Sequence, residues 1–96
     1  MGAIAPVTLL TSASETGPWV RVVSGKRMPV VSGDPSGATV GLELSLDGEN
    51  AVDTIDDVTF TAPGILPSFE IGSCYLRGTI TGGSSPSVSF VLLGVE

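Results

Sequence analysis

The sequence predicts an all-β chain: a small antiparallel β-sandwich or barrel of seven or eight short strands with almost no helix, jelly-roll topology being one arrangement open to it. Three observations predict this. Thirteen glycines and seven prolines cut 96 residues into short runs. Val, Thr and Ile fill those runs, and β-branched side chains fit a pleated surface better than a helix. Apolar residues recur at every second position, and no window holds them at i, i+3, i+4 and i+7 for as long as a helix of about ten residues requires.

The elements follow in order. Near the start, Leu9 and Leu10 are adjacent, so both sides of an extended chain are apolar there. Residues 19–23 form a second extended run around Trp19 and Arg21. Gly33-Asp34-Pro35-Ser36-Gly37 is a reversal, with Pro set for the second turn position and Gly leaving it. Residues 38–46 are the clearest strand: Val40, Leu42, Leu44 and Leu46 alternate with Gly41, Glu43 and Ser45. Asp47-Gly48 is a hairpin-type signal. Residues 57–62 read as a strand with Val58 and Phe60 inward, after which Pro63 and Pro67 forbid a central strand over 62–67. Residues 73–81 place Cys74, Leu76, Gly78 and Ile80 on one face and Tyr75, Arg77, Thr79 and Thr81 on the other. Gly82-Gly83-Ser84-Ser85-Pro86 links this run to residues 87–95. There Val88, Phe90 and Leu92 face one side while Val91 and Leu93 make the other side apolar as well. A strand apolar on both faces is either covered in a sheet's interior or pressed on a neighbouring subunit.

The length allows one domain, spanning 1–96, with 1–14 as a candidate N-terminal arm. A core this small has a thin margin of stability. One cysteine excludes an intrachain disulfide, and the absence of histidine removes the commonest transition-metal ligand. Hydrophobic residues are 42% and charged residues 15%, well below the roughly 25% charged of a typical soluble domain. The mean hydropathy is +0.44. That surplus predicts burial against other copies or another protein. The net charge of −6, with only Arg21, Lys26, Arg27 and Arg77 as cations, argues against nucleic acid and anionic membranes as partners. No apolar run approaches the roughly 20 residues of a membrane span. The first residues lack the basic region of a secretory signal, and Pro6 stands where a myristoylation motif wants Ser or Thr, so synthesis in the cytoplasm is expected.

The residues offer little catalytic chemistry. Without histidine, Ser–His and Cys–His pairs are impossible, and Cys74 reads as a buried structural thiol. Asp47, Glu49, Asp53, Asp56 and Asp57 are the one carboxylate cluster. They suit glycoside chemistry poorly in a chain of five aromatic residues, and they miss the EF-hand spacing. A solvated acidic loop is the expectation, with no cofactor, no metal and no catalytic residue. Trp19 is either an exposed aromatic anchor or a cap on the sandwich core. Arg21 and Arg77 are expected outward, available to carboxylates. The residues expected at a protein interface are therefore Leu9, Leu10, Trp19, Arg21, Arg77, Val91 and Leu93.

The whole pattern resembles the small β-sandwich structural proteins of tailed bacteriophages, of the capsid decoration (cement) and head-fibre type. The likeness rests on Trp19-Val20-Arg21-Val22, on Val40-Gly41-Leu42-Glu43-Leu44-Ser45-Leu46-Asp47-Gly48, on Tyr75-Leu76-Arg77-Gly78-Thr79-Ile80 and on Val88-Ser89-Phe90-Val91-Leu92. It implies a non-enzymatic homotrimer on the capsid exterior that binds the major capsid protein, with the N-terminal stretch as an arm on the shell. A tail or fibre component is the alternative within that likeness; a carbohydrate- or cell-surface-binding module is a separate alternative, to which one Trp and one Tyr offer little for stacking sugar rings.

Overall fold

Nine strands and no helix make up residues 5–95, the part of the chain that the computed structural model describes. They are β1 (Val7–Ala13), β2 (Val20–Val22), β3 (Gly25–Asp34), β4 (Ala38–Ser45), β5 (Ala51–Thr54), β6 (Gly64–Ile65), β7 (Phe69–Ile71), β8 (Cys74–Gly82) and β9 (Ser87–Val95). Every pairing is antiparallel. One sheet runs β1-β9-β3, with both β6 and β7 on the far edge of β3; the other runs β2-β8-β4-β5. With β6 and β7 sharing one strand's place, this is the strand order of a jelly roll. The count exceeds the expected seven or eight because one edge strand is split in two.

Pro29 accounts for the split. A proline has no N–H to give a ladder, yet Pro29 lies mid-strand in β3, opposite Leu92 of β9. In an antiparallel strand a residue's N and C=O point to the same side, and the Pro29 carbonyl accepts from Leu66 N at 3.1 Å on the β6/β7 side. Its donorless nitrogen therefore faces the gap between Ile65 and Phe69, where no strand is paired.

Inward-facing residues of the two sheets meet in a single core. Val22, Val40, Leu42 and Leu76 come from one sheet and Val31, Val88, Phe90 and Leu92 from the other, all buried. Each such side chain contributes roughly 1.5–3 kcal/mol by leaving water. Phe60 meets Phe90 edge to face, with ring centroids 5.7 Å apart and planes at 74°, an arrangement favoured by the ring quadrupoles. The sheets approach so closely at Gly78 that a Cβ there would lie 2.9 Å from the Leu10 side chain and 3.1 Å from the Phe90 ring.

Three expectations change. The apolar pair Leu9-Leu10 does not show both sides of a strand to the outside. The register of β1 against β9 slips between Thr8, opposite Val91, and Leu10, opposite Phe90. This bulge turns both leucines inward, and each is 3% exposed. Leu9 and Leu10 are therefore core residues, unavailable to an interface. The same strand corrects the arm reading for residues 7–13, which are hydrogen-bonded into the sandwich; residues 1–4 lie outside the described residues. Finally, residues 57–62 form no strand. Val58 and Phe60 point inward as the alternation predicts, but the ladder is one bridge, Val40 to Phe60. β5 already occupies the edge of β4 as far as Glu43, and the chain then crosses to the opposite sheet through Pro63.

Candidate interaction surfaces

With both inner faces spent on the core, the two outer faces carry whatever the molecule presents. On the four-stranded sheet, strand alternation puts Arg21 of β2, Tyr75 and Arg77 of β8, and Glu43 of β4 on the outside. Arg77 and Glu43 are register partners. The Arg77 Nε donates to Glu43 Oε1 at 2.7 Å, the one ion pair among the described residues. The same guanidinium lies over the Trp19 ring, 4.4 Å from its centroid. Arg21, opposite Tyr75 in the ladder, sits 5.5 Å from that ring's centroid. Trp19 is half-buried and stands outside the core cluster. Of its two readings, the cap on the core gives way to a surface aromatic held by Arg77. Trp19, Arg21 and Arg77 thus come together on one face.

The outer face of the five-stranded sheet carries an apolar patch, bounded by Ser32 and Ser89 on one side and by Lys26 and Glu70 on the other. Val91 of β9 pairs with Val30 of β3, which pairs with Ile65 of β6, so three aliphatic side chains form a row across the strands. Leu93 and Met28 form the next pair along the same face. Ile65 is 64% exposed and Leu93 40%; Val30, Val91 and Met28 are half-buried beside them. The expected exposure of Val91 and Leu93 on the side away from the core is what the register gives. Ile65 and Met28 were not foreseen, because Ile65 belongs to a two-residue edge strand with no alternation to read.

The acidic loop is built as a turn. Asp47 accepts hydrogen bonds from Glu49 N at 2.8 Å, Asn50 N at 2.9 Å and Asn50 Nδ2 at 3.0 Å, and from the Ser45 hydroxyl at 2.9 Å. The backbone amides of Asn50 and Glu49 foremost hold its carboxyl well below the usual carboxylate range. Among the described residues, no three acidic or thiol side chains gather as a metal site. Asp53, Asp57 and Glu70 instead rim an apolar cleft of about 540 Å³ floored by Leu44, Ile55 and Phe69. Cys74 is buried, and burial pushes its thiol up against a smaller opposing pull from Arg21.

Arg27 escaped the sequence reading. Counting by twos from Val31 through Pro29 puts Arg27 on the inward face of β3, and it is 3% exposed. Its Nη1 donates to the Ala5 carbonyl at 2.6 Å and its Nη2 to the Val23 carbonyl at 3.2 Å. Its Nε, also buried, has no hydrogen-bond partner among the described residues. Arg27 and Arg21 line one cavity of about 330 Å³.

No protein-family model, curated protein or solved structure matches the chain.

Proposed function

We propose that this chain is a non-enzymatic structural protein of a phage virion, a capsid decoration protein that forms a homo-oligomer and binds the major capsid protein lattice. The observation that carries the reading is the aliphatic row Val91–Val30–Ile65 with Leu93 and Met28 on the outer face of the five-stranded sheet. Leaving such a patch in water is unfavourable, and covering it with another copy of the chain removes apolar area at roughly 25 cal/mol per Å². The sequence resemblance supplies the virion setting and the trimer. The aromatic and arginine-bearing face of the other sheet suits the lattice contact, because Trp, Tyr and Arg are the residues that dominate interface energetics. A protein that binds only the expanded shell stabilises that shell by mass action, and repetition over a symmetric lattice multiplies weak contacts.

Sedimentation velocity on the purified protein tests the first half: an oligomer is expected, and a monomer independent of concentration overturns it. Leu93→Glu and Ile65→Glu should each dissociate the oligomer while leaving the far-ultraviolet spectrum of the sandwich intact, since neither side chain enters the core. The second half is tested by co-sedimentation with expanded phage heads. There Arg77→Ala and Trp19→Ala should weaken binding by tenfold or more, as hot-spot truncations do. Undiminished binding by both variants sinks the lattice assignment.

A further inference from the structure

We infer that the cavity lined by Arg21 and Arg27 is a binding site for a carboxylate group. Arg27 stands in a place where a sandwich normally keeps an aliphatic side chain: inward on β3, with β9 paired on one side and β7 on the other. A guanidinium does not shed its proton in a protein, so Arg27 is buried as a cation. Two of its five donors are taken by the carbonyls of Ala5 and Val23, and its Nε–H is bare although the side chain is 3% exposed. Carbonyl dipoles solvate a cation but do not neutralise it, and a buried charge without a counter-ion is strongly disfavoured.

The second guanidinium sharpens the case. Arg21 lines the same cavity, from the β2 side, and has no carboxylate partner among the described residues. Ten acidic residues are available in this chain against four basic ones, yet among the described residues only Arg77 is paired. Two arginines without a carboxylate partner among the described residues line one space of about 330 Å³, Arg21 with its guanidinium also beside the Tyr75 ring, and they form a focus of positive potential in an otherwise acidic molecule. The remaining walls include Pro6, Val7, Val23 and Ser24, which suit the methylenes of an acidic side chain. Each Nη of Arg27 keeps a second N–H beyond its carbonyl contact, and a planar guanidinium suits the two-oxygen geometry of a carboxylate. A phosphate dianion fits less well, because the backbone groups held at this guanidinium are carbonyl oxygens rather than the N–H groups that cradle phosphate. This inference stands apart from the oligomer, since it concerns one end of the sandwich and not the apolar face.

The test reads the Arg27 side chain directly. In the ¹⁵N-labelled full chain, the Arg27 Nε–Hε resonance should shift saturably on titration with N-acetylglutamate α-amide, a single-carboxylate probe. At matched ionic strength it should not respond to the uncharged glutamine analogue or to chloride. Arg21→Gln, a change at an exposed position, should raise the probe's Kd about tenfold with the amide spectrum otherwise preserved. A stronger response to inorganic phosphate overturns the carboxylate assignment, and an equal response to chloride reduces the effect to screening and overturns the site. Glu96 lies outside the described residues and follows directly on β9. Saturable binding seen only in Glu96→Gln would mean that the chain's own carboxylate fills the cavity, and would overturn an external ligand.

Discussion

At the scale of single residues, Asp47 shows how much a turn owes to one side chain. Its carboxylate collects four hydrogen bonds within the loop that joins β4 to β5. Because the folded-state pKa is depressed, the stability it contributes is fully present above the unfolded value of about 3.9 and is lost as pH falls through the folded one. Asp47→Asn should therefore lower the urea midpoint at pH 7, and the gap from the parent should narrow as pH falls below about 4. A gap that does not change with pH would place the loss in packing instead. Gly78 makes a different kind of demand. A methyl group there collides with Leu10 and Phe90, so Gly78→Ala should cost about 1–3 kcal/mol by urea denaturation. Combined with Leu10→Ala, which opens the same space, it should cost less than the two changes summed. Cys74 should resist a thiol reagent at pH 8 until the sandwich opens, so its labelling rate should rise with urea in step with unfolding.

At the scale of elements, β1 decides between a strand and an arm. Deleting residues 1–13 would uncover the edge of β9 and remove Leu9 and Leu10 from the core. The deletion should abolish cooperative unfolding, whereas loss of a mere arm would leave the midpoint unchanged. The same strand shows where sequence reading reaches its end. Alternation was enough for β8 and β9, and for β4 as far as Leu44, but Leu46, read as inward, lies beyond the end of β4 and is 73% exposed; turn chemistry was enough for 33–37 and 47–50. It failed at Leu9-Leu10, because a bulge adds a residue without leaving a mark in the pattern. It failed again at 57–62, where the inward parity was right but the chain makes one bridge, Phe60 to Val40, before crossing to the other sheet. The placement of β6 and β7 depends on Pro29, far upstream in the chain, a long-range constraint that local propensity does not carry.

At the scale of the whole molecule, surface composition foretold more than any motif. The shortage of charge pointed to apolar area in excess of the core's capacity, and that excess is divided between the outer face of the five-stranded sheet, at Ile65 and Leu93, and the exposed Val23, Leu46 and Val52. The residues legible as surface groups, Trp19, Arg21, Arg77, Val91 and Leu93, divide between two faces that the sequence could not separate, because sheet membership is set by topology. Arg27 was hidden for a related reason: a cation at an inward position violates the pattern that parity reading relies on. The fold also makes a kinetic prediction. The first strand pairs with the last, and β2 with β8, so most of the sheet closes over long stretches of chain. Refolding by stopped flow should fall in the millisecond-to-second range typical of non-local β topologies, not in microseconds.

The lead-in to Val7 and the exit from Val95 emerge at the same pole of the molecule, because β1 and β9 are antiparallel neighbours with Val7 opposite Leu92. The loops 33–37 and 82–86 sit at the other pole, where Ser84 N donates to Ser36 O at 2.9 Å. Any tag or cargo fused ahead of β1 or behind β9 therefore crowds the guanidinium cavity. A peptide spliced between Gly83 and Ser84 would instead be displayed from the far tip, leaving that cavity open. For anyone wishing to decorate this scaffold, the interior splice is the safer address.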